Sequence, residues 1–265
     1  MLHKDREYLY TNYVDLKRPI QEIARECNVS KSTLEKSLFK LGLTNLRSRL
    51  KYSINKNKIV PSPEMYYFMG LVATDGYISL KTNRISIRLR NQGAKELLNS
   101  LKDYFEFSGN VRVYDQTDYD LTITSKELID FLSQNNIKGD NKTFSVRVPD
   151  YFPDEDCARL FLRGVLDGDG NIHLTKHPSG KIKNYEFRIV TGSLGFMEGL
   201  QKLFKQYLNI ETPLKVHRVK EKEYPSISLK SSESKNFYRW VYQGYTTFRL
   251  KDKFDKAKLV VEDIV

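Results

Sequence analysis

The chain has 265 residues, 40% of them hydrophobic, and a formal net charge of +11. This length and composition suit a folded protein with more than one domain and exclude an intrinsically disordered chain. The charge favours a polyanionic partner, and a solvated basic surface is the alternative.

The hydrophobic segments, the N-terminus and the cysteines indicate the cellular compartment of the protein. The longest apolar run, around Met65–Ala73, is too short to cross a bilayer, and the first ten residues are too charged for a signal peptide. Cys27 and Cys157 are too few and too far apart to indicate a disulfide framework or a zinc site. We therefore expect an intracellular protein of the cytoplasm or an organelle matrix, with no membrane partner.

Residues 1–45 are predicted to form a separate all-α region with a helix-turn-helix. Ile23 and Ala24 lie on one helical face, and Asn28-Val29-Ser30 forms the turn. The second helix is predicted over residues 31–40, with Ser30 as its N-cap. Its outward residues are Lys31, Ser32, Glu35 and Lys36. The turn spacing and the positive charge favour DNA binding through this helix, and an ordinary helical hairpin is the alternative.

Residues 46–61 are predicted to be a basic linker. They contain no acid and show weak periodicity. In a DNA-binding protein such a segment lies along phosphates or in a minor groove. A solvated tether fits the same composition equally well.

Two short stretches of the remaining chain repeat one pattern, FMGLVATDGYI from Phe68 and FLRGVLDGDGNI from Phe161. Each is an apolar helix with an internal glycine, and each ends in Asp-Gly before a strand. We therefore predict a duplicated domain with halves 62–152 and 153–265. Each half is predicted to have the order αββαββα, which gives an α+β fold with antiparallel sheets in two pseudo-symmetric units.

The glycines inside the two helices predict how the copies pack. Glycine in a helix interior costs ~1 kcal/mol relative to alanine, so Gly70 and Gly164 indicate a close contact between the helices. Asp75 and Asp169 would then lie together at two helix C-termini, where the helix dipoles and mutual repulsion are both unfavourable. A divalent cation accounts for such a pair, because carboxylate and carbonyl oxygens are suitable ligands for Mg²⁺.

The segments Phe68–Gly76 and Leu162–Gly170 resemble the two signature motifs of the LAGLIDADG homing endonucleases. The second segment, LRGVLDGDG, is a close match; the first departs at Ala73, where the family often has an acid, and at Thr74. The resemblance covers about residues 62–265 and implies a monomeric two-motif enzyme, here with an added N-terminal helix-turn-helix. It implies a site-specific, Mg²⁺-dependent double-strand break with short 3′ overhangs in a long double-stranded DNA target, as in intron homing.

The resemblance also implies the residues of the site. The implied catalytic residues are Asp75, Asp169, Lys142 and Lys251. The implied metal ligands are the carboxylates of Asp75 and Asp169 and the backbone carbonyls of Thr74 and Gly168. Lys253 competes with Lys251 for the role of the basic residue in the second copy, and an ordinary surface lysine is the alternative for each.

Strand alternation predicts which side chains face the DNA if both sheets form a saddle on it. In the first copy these are Tyr77, Ser79, Lys81, Asn83, Ser86, Arg88, Arg90, Arg112, Tyr114 and Gln116, while Ile78 and Leu80 face the core. In the second copy they are Asn171, His173, Thr175, His177, Glu186, Arg188, Lys215, His217, Ser228 and Lys230. Few acids are expected on these faces. Arginine and lysine suit guanine edges and Asn or Gln suit adenine, although any single residue also fits a solvated sheet face.

Two other functions are compatible with the same fold. One is an RNA-splicing maturase, which would bind intron RNA. The other is a non-catalytic DNA-binding transcription regulator, which would be expected to have lost a motif acid or the helix glycines. The presence of both acids, Asp75 and Asp169, favours the nuclease.

Overall fold

The computed structural model describes residues 2–16, 18–44, 52–90, 93–139, 142–179, 182–219, 222–244 and 247–262. The chain divides into two compact units, Met1–Ser53 and Ile54–Val265, each with its own hydrophobic core. Of the predicted linker, residues 46–51 lie outside the described part. The division of the chain into the four segments 1–45, 46–61, 62–152 and 153–265 remains a prediction.

The smaller unit is helical. Its helices are α1 (Arg6–Leu9), a π-helical turn (Tyr10–Asp15), α2 (Ile20–Glu26) and α3 (Lys31–Lys40), after a 3-10 turn at Leu2–Lys4. The Ser30 hydroxyl accepts a hydrogen bond from the Thr33 amide at 3.1 Å, which confirms Ser30 as the N-cap of α3. Ile23, Leu34 and Leu38 are fully buried between the helices. The predicted outward residues of α3 are exposed.

The larger unit contains the two copies of the repeat. The first copy consists of α4 (Pro63–Asp75), β1 (Gly76–Ser79), β2 (Arg84–Arg90), α5 (Ala94–Tyr104), β3 (Arg112–Asp115), β4 (Asp118–Thr124), α6 (Lys126–Gln134) and α7 (Lys142–Ser145). The second consists of α8 (Glu155–Asp167), β5 (Asn171–Lys176), β6 (Ile182–Val190), α9 (Leu194–Leu208), β7 (Lys215–Val219), β8 (Lys222–Lys230), α10 (Ser232–Val241) and α11 (Lys251–Glu262).

The two sheets have the same topology. Their strand orders are β1-β2-β4-β3 and β5-β6-β8-β7, and all pairs are antiparallel. Helices cover one face of each sheet through a shared core. The predicted α+β fold with two pseudo-symmetric halves is thereby confirmed.

The two motif helices begin at side-chain caps. Ser62 accepts a hydrogen bond from the Met65 amide at 3.2 Å, and Pro63 occupies the first helical turn, where its missing N–H is not needed. Asp154 accepts one from the Cys157 amide at 2.7 Å. These caps set where α4 and α8 start, and therefore which residues reach their C-terminal ends.

The motif helices α4 and α8 pack against each other at their glycines. A Cβ atom at Gly70 would lie 2.1 Å from the carbonyl oxygen of Phe161, and one at Gly164 would lie 2.2 Å from that of Tyr67. Real Cβ atoms do not approach backbone this closely, so only glycine permits this helix contact. The predicted close packing is confirmed.

Some predicted strand positions lie beyond the strand ends. Strand β1 ends at Ser79, so Leu80 lies in the following turn, where it is exposed and does not face the core as expected. Lys81, Asn83, Gln116 and His177 likewise lie outside the strands, in the connections of their hairpins. The alternation rule failed at these positions because it holds only while the backbone remains extended.

Candidate active site and nucleic-acid interface

The C-terminal ends of α4 and α8 touch each other. Helix α4 ends at Asp75, whereas α8 ends at Asp167 and is followed by Gly168 and Asp169. A Cβ atom at Gly168 would lie 1.9 Å from the hydroxyl oxygen of Thr74. Glycine at 168 is therefore required by the contact between the two helix ends, and this contact brings the two motif acids to one place.

Asp75 and Asp169 are both exposed at this junction. The surrounding protein removes part of the water around each carboxylate, and this raises the pKa of both; for Asp169 the neighbouring charge of Asp75 raises the pKa further. Lys142 and Lys253 oppose these shifts in both carboxyls. The two acids therefore share one electrostatic environment and carry concentrated negative charge.

A lysine ammonium contacts each helix end. Lys142 Nζ donates to the carbonyl oxygens of Val72 at 2.7 Å and Thr74 at 2.8 Å. Lys253 Nζ donates to those of Leu166 at 2.9 Å, Asp167 at 2.7 Å and Gly168. Val72 and Thr74 in the first copy correspond to Leu166 and Gly168 in the second, so the two lysines occupy equivalent places.

Burial shifts both lysines towards the neutral form. It lowers the pKa of Lys142 to about 8, against the attraction of Asp169 and Asp75. It also lowers the pKa of Lys253, against the attraction of Asp167, Asp75 and Asp169. Each ammonium thus exchanges bulk water for helix carbonyls and nearby carboxylates.

Lys251, chosen from the sequence for the second copy, lies elsewhere. Its ammonium pairs with Asp255 at 2.5 Å, and its Cβ packs against Gly93. Since α11 begins at Lys251, the side chains of Lys251 and Lys253 project about 200° apart around the helix axis. The position predicted for Lys251 is therefore held by Lys253.

Asp167 was not predicted as part of the site, although the sequence shows an additional acid in the second motif. It is buried and accepts hydrogen bonds from the Tyr67 hydroxyl and the Leu250 amide, both at 2.8 Å. Burial raises its pKa to about 6. The bond to Leu250 attaches the start of α11 to the end of α8, and this attachment brings Lys253 to the helix carbonyls.

The donors at the junction fit a hard divalent cation. The two carboxylates and the carbonyls of Thr74 and Gly168 provide only oxygen, the element preferred by Mg²⁺. Both carbonyls also accept a lysine N–H, and a carbonyl oxygen has a second lone pair for another partner. Among the described residues, no three His, Cys, Asp or Glu side chains group as a metal site.

The uncovered face of the first sheet carries most of the residues that were predicted to face the DNA in the first copy. Strand β4 contributes Asp118 and Asp120 to this face, so the expectation of few acids was wrong for the first copy. Arg88 donates to Asp118 at 2.8 Å from Nε and 2.6 Å from Nη2, and its guanidinium carbon lies 4.4 Å from the centre of the Tyr114 ring. Alternation could not identify these partners, because they lie on other strands.

The corresponding face of the second sheet has a different chemistry. Arg188 Nη2 lies 3.0 Å from His217 Nε2, which in turn lies 3.0 Å from the Ser226 hydroxyl. Asn171 and Ser228 are the residues directly opposite Arg188 on the adjacent strands. The remaining predicted residues of this copy that lie within its strands are His173, Thr175, Glu186, Lys215 and Lys230.

Comparison with known proteins identifies the fold. Residues 156–242 match the family described as LAGLIDADG-like domain. The solved structure of the homing endonuclease I-WcaI bound to its DNA recognition sequence aligns with a TM-score of 0.52 at 15% identity, over 75% of this chain and 87% of that one. Full-length DUF199/WhiA from Thermatoga maritima aligns with a TM-score of 0.49 at 15% identity, over 78% of this chain and 63% of that one.

One curated relative matches over part of its length. Glutamine–fructose-6-phosphate aminotransferase (isomerizing) of Methanocaldococcus jannaschii is 28% identical over 207 residues, which are 76% of this chain and 18% of that protein. The chain thus spans less than a fifth of this relative. Residues 156–242 are thus similar to a LAGLIDADG-like domain, and three quarters of the chain shares its fold with a homing endonuclease.

Proposed function

We propose that the protein is a site-specific, metal-dependent DNA endonuclease that acts as a monomer. The observation that carries this proposal is the pair of exposed carboxylates, Asp75 and Asp169, at the touching ends of two glycine-packed helices. Two acids of a structural pair would repel each other at the negative ends of two helix dipoles. A divalent metal ion bound at these carboxylates would remove this cost.

The chain's own residues would divide the work as follows. Asp75 and Asp169 would hold Mg²⁺ together with the backbone carbonyls of Thr74 and Gly168. When bound, Mg²⁺ supplies Lewis-acid stabilisation of the charge that develops on the phosphoryl oxygens. Lys142 and Lys253 orient the helix-end carbonyls and add positive charge beside the scissile phosphates. The product is a double-strand break with short 3′ overhangs.

The two uncovered sheet faces would bind the major groove on either side of the cut. Arginines and lysines on both faces provide guanine and phosphate contacts, and their different partners in the two copies favour an asymmetric target. Helices α2 and α3 would act as a helix-turn-helix, with Lys31, Ser32 and Lys36 against the DNA. The segment 46–61 would link this region to the nuclease halves 62–152 and 153–265.

The test is to replace each acid separately, as Asp75→Asn and Asp169→Asn. Each change removes a charged ligand and leaves the sheet faces intact, so double-strand cleavage should fall by at least about 100-fold. Binding of the same duplex should stay within a few-fold. The assay is cleavage of supercoiled plasmid that contains a selected target, with Mg²⁺ and with Ca²⁺ as the parallel binding condition.

Asp103→Asn is the matched control, because Asp103 is an exposed acid of α5 outside the site. It should cut as the wild type does. Full cleavage by either site variant would contradict the two-acid mechanism. Tight duplex binding without cleavage by the wild type would instead favour the DNA-binding regulator, and preference for structured intron RNA would favour the maturase.

A further inference from the structure

We propose that Asp118 is a positioning residue that orients Arg88 to contact guanine in the DNA target. The proposal rests on the proposed DNA-binding function and adds a specificity device on the uncovered face of the first sheet. Arg88 lies on β2 and Asp118 on the adjacent β4, and both side chains lie on that face.

The Arg88 guanidinium is held from two directions. Nε and Nη2 donate to the two oxygens of one carboxylate, at 2.8 Å and 2.6 Å, in a bidentate pair. The Tyr114 ring covers one face of the guanidinium at 4.4 Å. A carboxylate in the plane and a ring above the plane together fix the orientation of a side chain that is otherwise flexible.

This arrangement leaves a second pair of donors for a ligand. A guanidinium has five N–H groups, and the bond to Asp118 uses one from Nε and one from Nη2. The other N–H of Nη2 and those of Nη1 form the end of the side chain, which points away from the carboxylate. The parallel N–H groups of Nη1 and Nη2 match the acceptors O6 and N7 of guanine in the major groove. The side chain of Arg88 is 50% exposed, so this end is open to a ligand.

The charged side chains around Arg88 on the first sheet favour base recognition over phosphate binding. Asp118 is only 5% exposed, and Arg90 Nε also lies 3.2 Å from it, so its charge is compensated within the protein. Asp120 lies opposite both Arg88 and Arg112 and accepts a hydrogen bond from the Thr122 hydroxyl at 2.7 Å. Two acids offset most of the charge of three arginines, so these side chains add little to the general attraction for phosphates, and their contribution is orientation.

The test measures base preference with the full chain. Duplexes from a randomised pool are selected on the wild type in Ca²⁺, and the preferred base is determined at every position. The variants are Arg88→Lys, Asp118→Asn and the double variant, and the control is Glu223→Gln. Glu223 pairs with Arg218 at 2.7 Å on the opposite face of the second sheet, so it is a matched acid–arginine pair outside the interface.

The wild type should prefer guanine at one position by about tenfold or more. Arg88→Lys should strongly weaken this preference, because an ammonium lacks the planar fork that Asp118 holds in place and that matches both O6 and N7. Asp118→Asn should remove most of it at the same position, since an amide NH₂ opposes the guanidinium donors. Adding Asp118→Asn to Arg88→Lys should change nothing further. Glu223→Gln should leave the preference as it is.

Tyr114→Phe and Tyr114→Ala give a second test that does not depend on a nearly buried acid, since Tyr114 is exposed. The first should retain the guanine preference and the second should weaken it. The inference is overturned if Asp118→Asn keeps the preference, weakens all positions equally, or acts undiminished on the Arg88→Lys chain. If the wild type enriches no duplex at all, the proposed function fails, and this inference fails with it.

Discussion

The second helix end is contacted by one particular lysine. Lys253 donates to the last carbonyls of α8, whereas Lys251, two residues away, forms an exposed pair with Asp255. Lys253→Met should therefore reduce cleavage by about 100-fold, as the loss of one preorganised donor does in other sites. Lys251→Met should remain within about twofold of the wild type, because an exposed ion pair contributes little. Single-turnover cleavage of the selected duplex measures both.

Strand-specific labelling sharpens this comparison. Lys253 belongs to the second half-site, so its loss should slow cleavage of one strand more than the other and leave a nicked intermediate. Lys142→Met should leave the opposite nick, since Lys142 contacts the end of α4. A loss in Lys251→Met with normal activity in Lys253→Met would restore the original sequence-based choice.

Lys142 also predicts a pH dependence of stability. Burial lowers its pKa to about 8 in the folded chain from an ordinary value of 10.5. Between these values the unfolded chain binds a proton that the folded chain has lost, so the free energy of unfolding rises with pH. The burial cost of the charged form is therefore present below pH 8 and is progressively relieved between pH 8 and pH 10.5.

The measurement is the difference in free energy of unfolding between the wild type and Lys142→Met, in metal-free buffer. From pH 8 to pH 10.5 the free energy of unfolding of the wild type should rise relative to that of Lys142→Met, and above pH 10.5 the difference should level off. Lys95→Met, at an exposed position of α5, is a control for the general effect of removing a lysine. A difference that is flat or falls over this range would show that Lys142 stays exposed to water in solution.

At the scale of elements, the contact between α4 and α8 determines the site geometry. Each helix places a glycine against the other's backbone, at 2.1 Å and 2.2 Å for a hypothetical Cβ. Gly70→Ala must push the helices apart, since the nearest atoms are backbone atoms of Phe161 and Val165 and cannot move as a side chain can. The expected loss in free energy of unfolding is about 3 kcal/mol, at the upper end of the cost of overpacking.

Urea denaturation measures this loss, with Lys95→Ala on the exposed side of α5 as the control. Helix separation should also move Thr74 away from Gly168 and reduce cleavage more than duplex binding. A fully active, fully stable Gly70→Ala chain would mean that the helix pair is more loosely packed than the structure has it.

Local sequence signals predicted the elements well. The Ser30 cap and the alternation in β2 each depend on residues close together in the chain, and both are observed. The sequence repeat then predicts that both copies have the same topology, as observed.

Contacts between distant residues could not be predicted in this way. Arg88 and Asp118 are 30 positions apart and meet only through the pairing of β2 with β4. The choice between Lys251 and Lys253 depended on where α11 begins, and Leu250 is held there by Asp167, 83 residues away. The pattern of a single sequence shows its periodicity and its turn residues. It does not show how strands are paired or which distant residues are in contact.

At the scale of the whole molecule, the two copies have the same strand order, but the residues packed near the C-terminal ends of their motif helices differ. The first copy has Ala73 where the second has Asp167, and Asp167 fixes the segment that carries Lys253. Lys142, in contrast, lies on the four-residue helix α7 at the end of the first copy. The lysine at one helix end is therefore supported by a buried polar anchor and the lysine at the other by a short helix. Such a difference is possible in a fused pair and impossible in a symmetric dimer of one copy.

The smaller unit should extend the DNA contact without taking part in the chemistry. Its core is separate from that of the larger unit, so a chain that begins at Tyr52 should still fold. A start at Asn57 would be too late, because the Asn55 amide donates to the Phe105 carbonyl at 2.8 Å and Lys56 pairs with Glu127.

The chain from Tyr52 should cut the same central site with weaker binding. It should give a shorter footprint on one side only, because the proposed helix-turn-helix occurs once in a chain with two proposed half-sites. Footprinting of the full and shortened chains on one duplex tests this, and Lys31→Ala with Lys36→Ala in the full chain should shorten the same side. Identical footprints and equal affinity would instead make residues 1–45 a structural or protein-binding element, and DNA recognition would then belong to the two sheets alone.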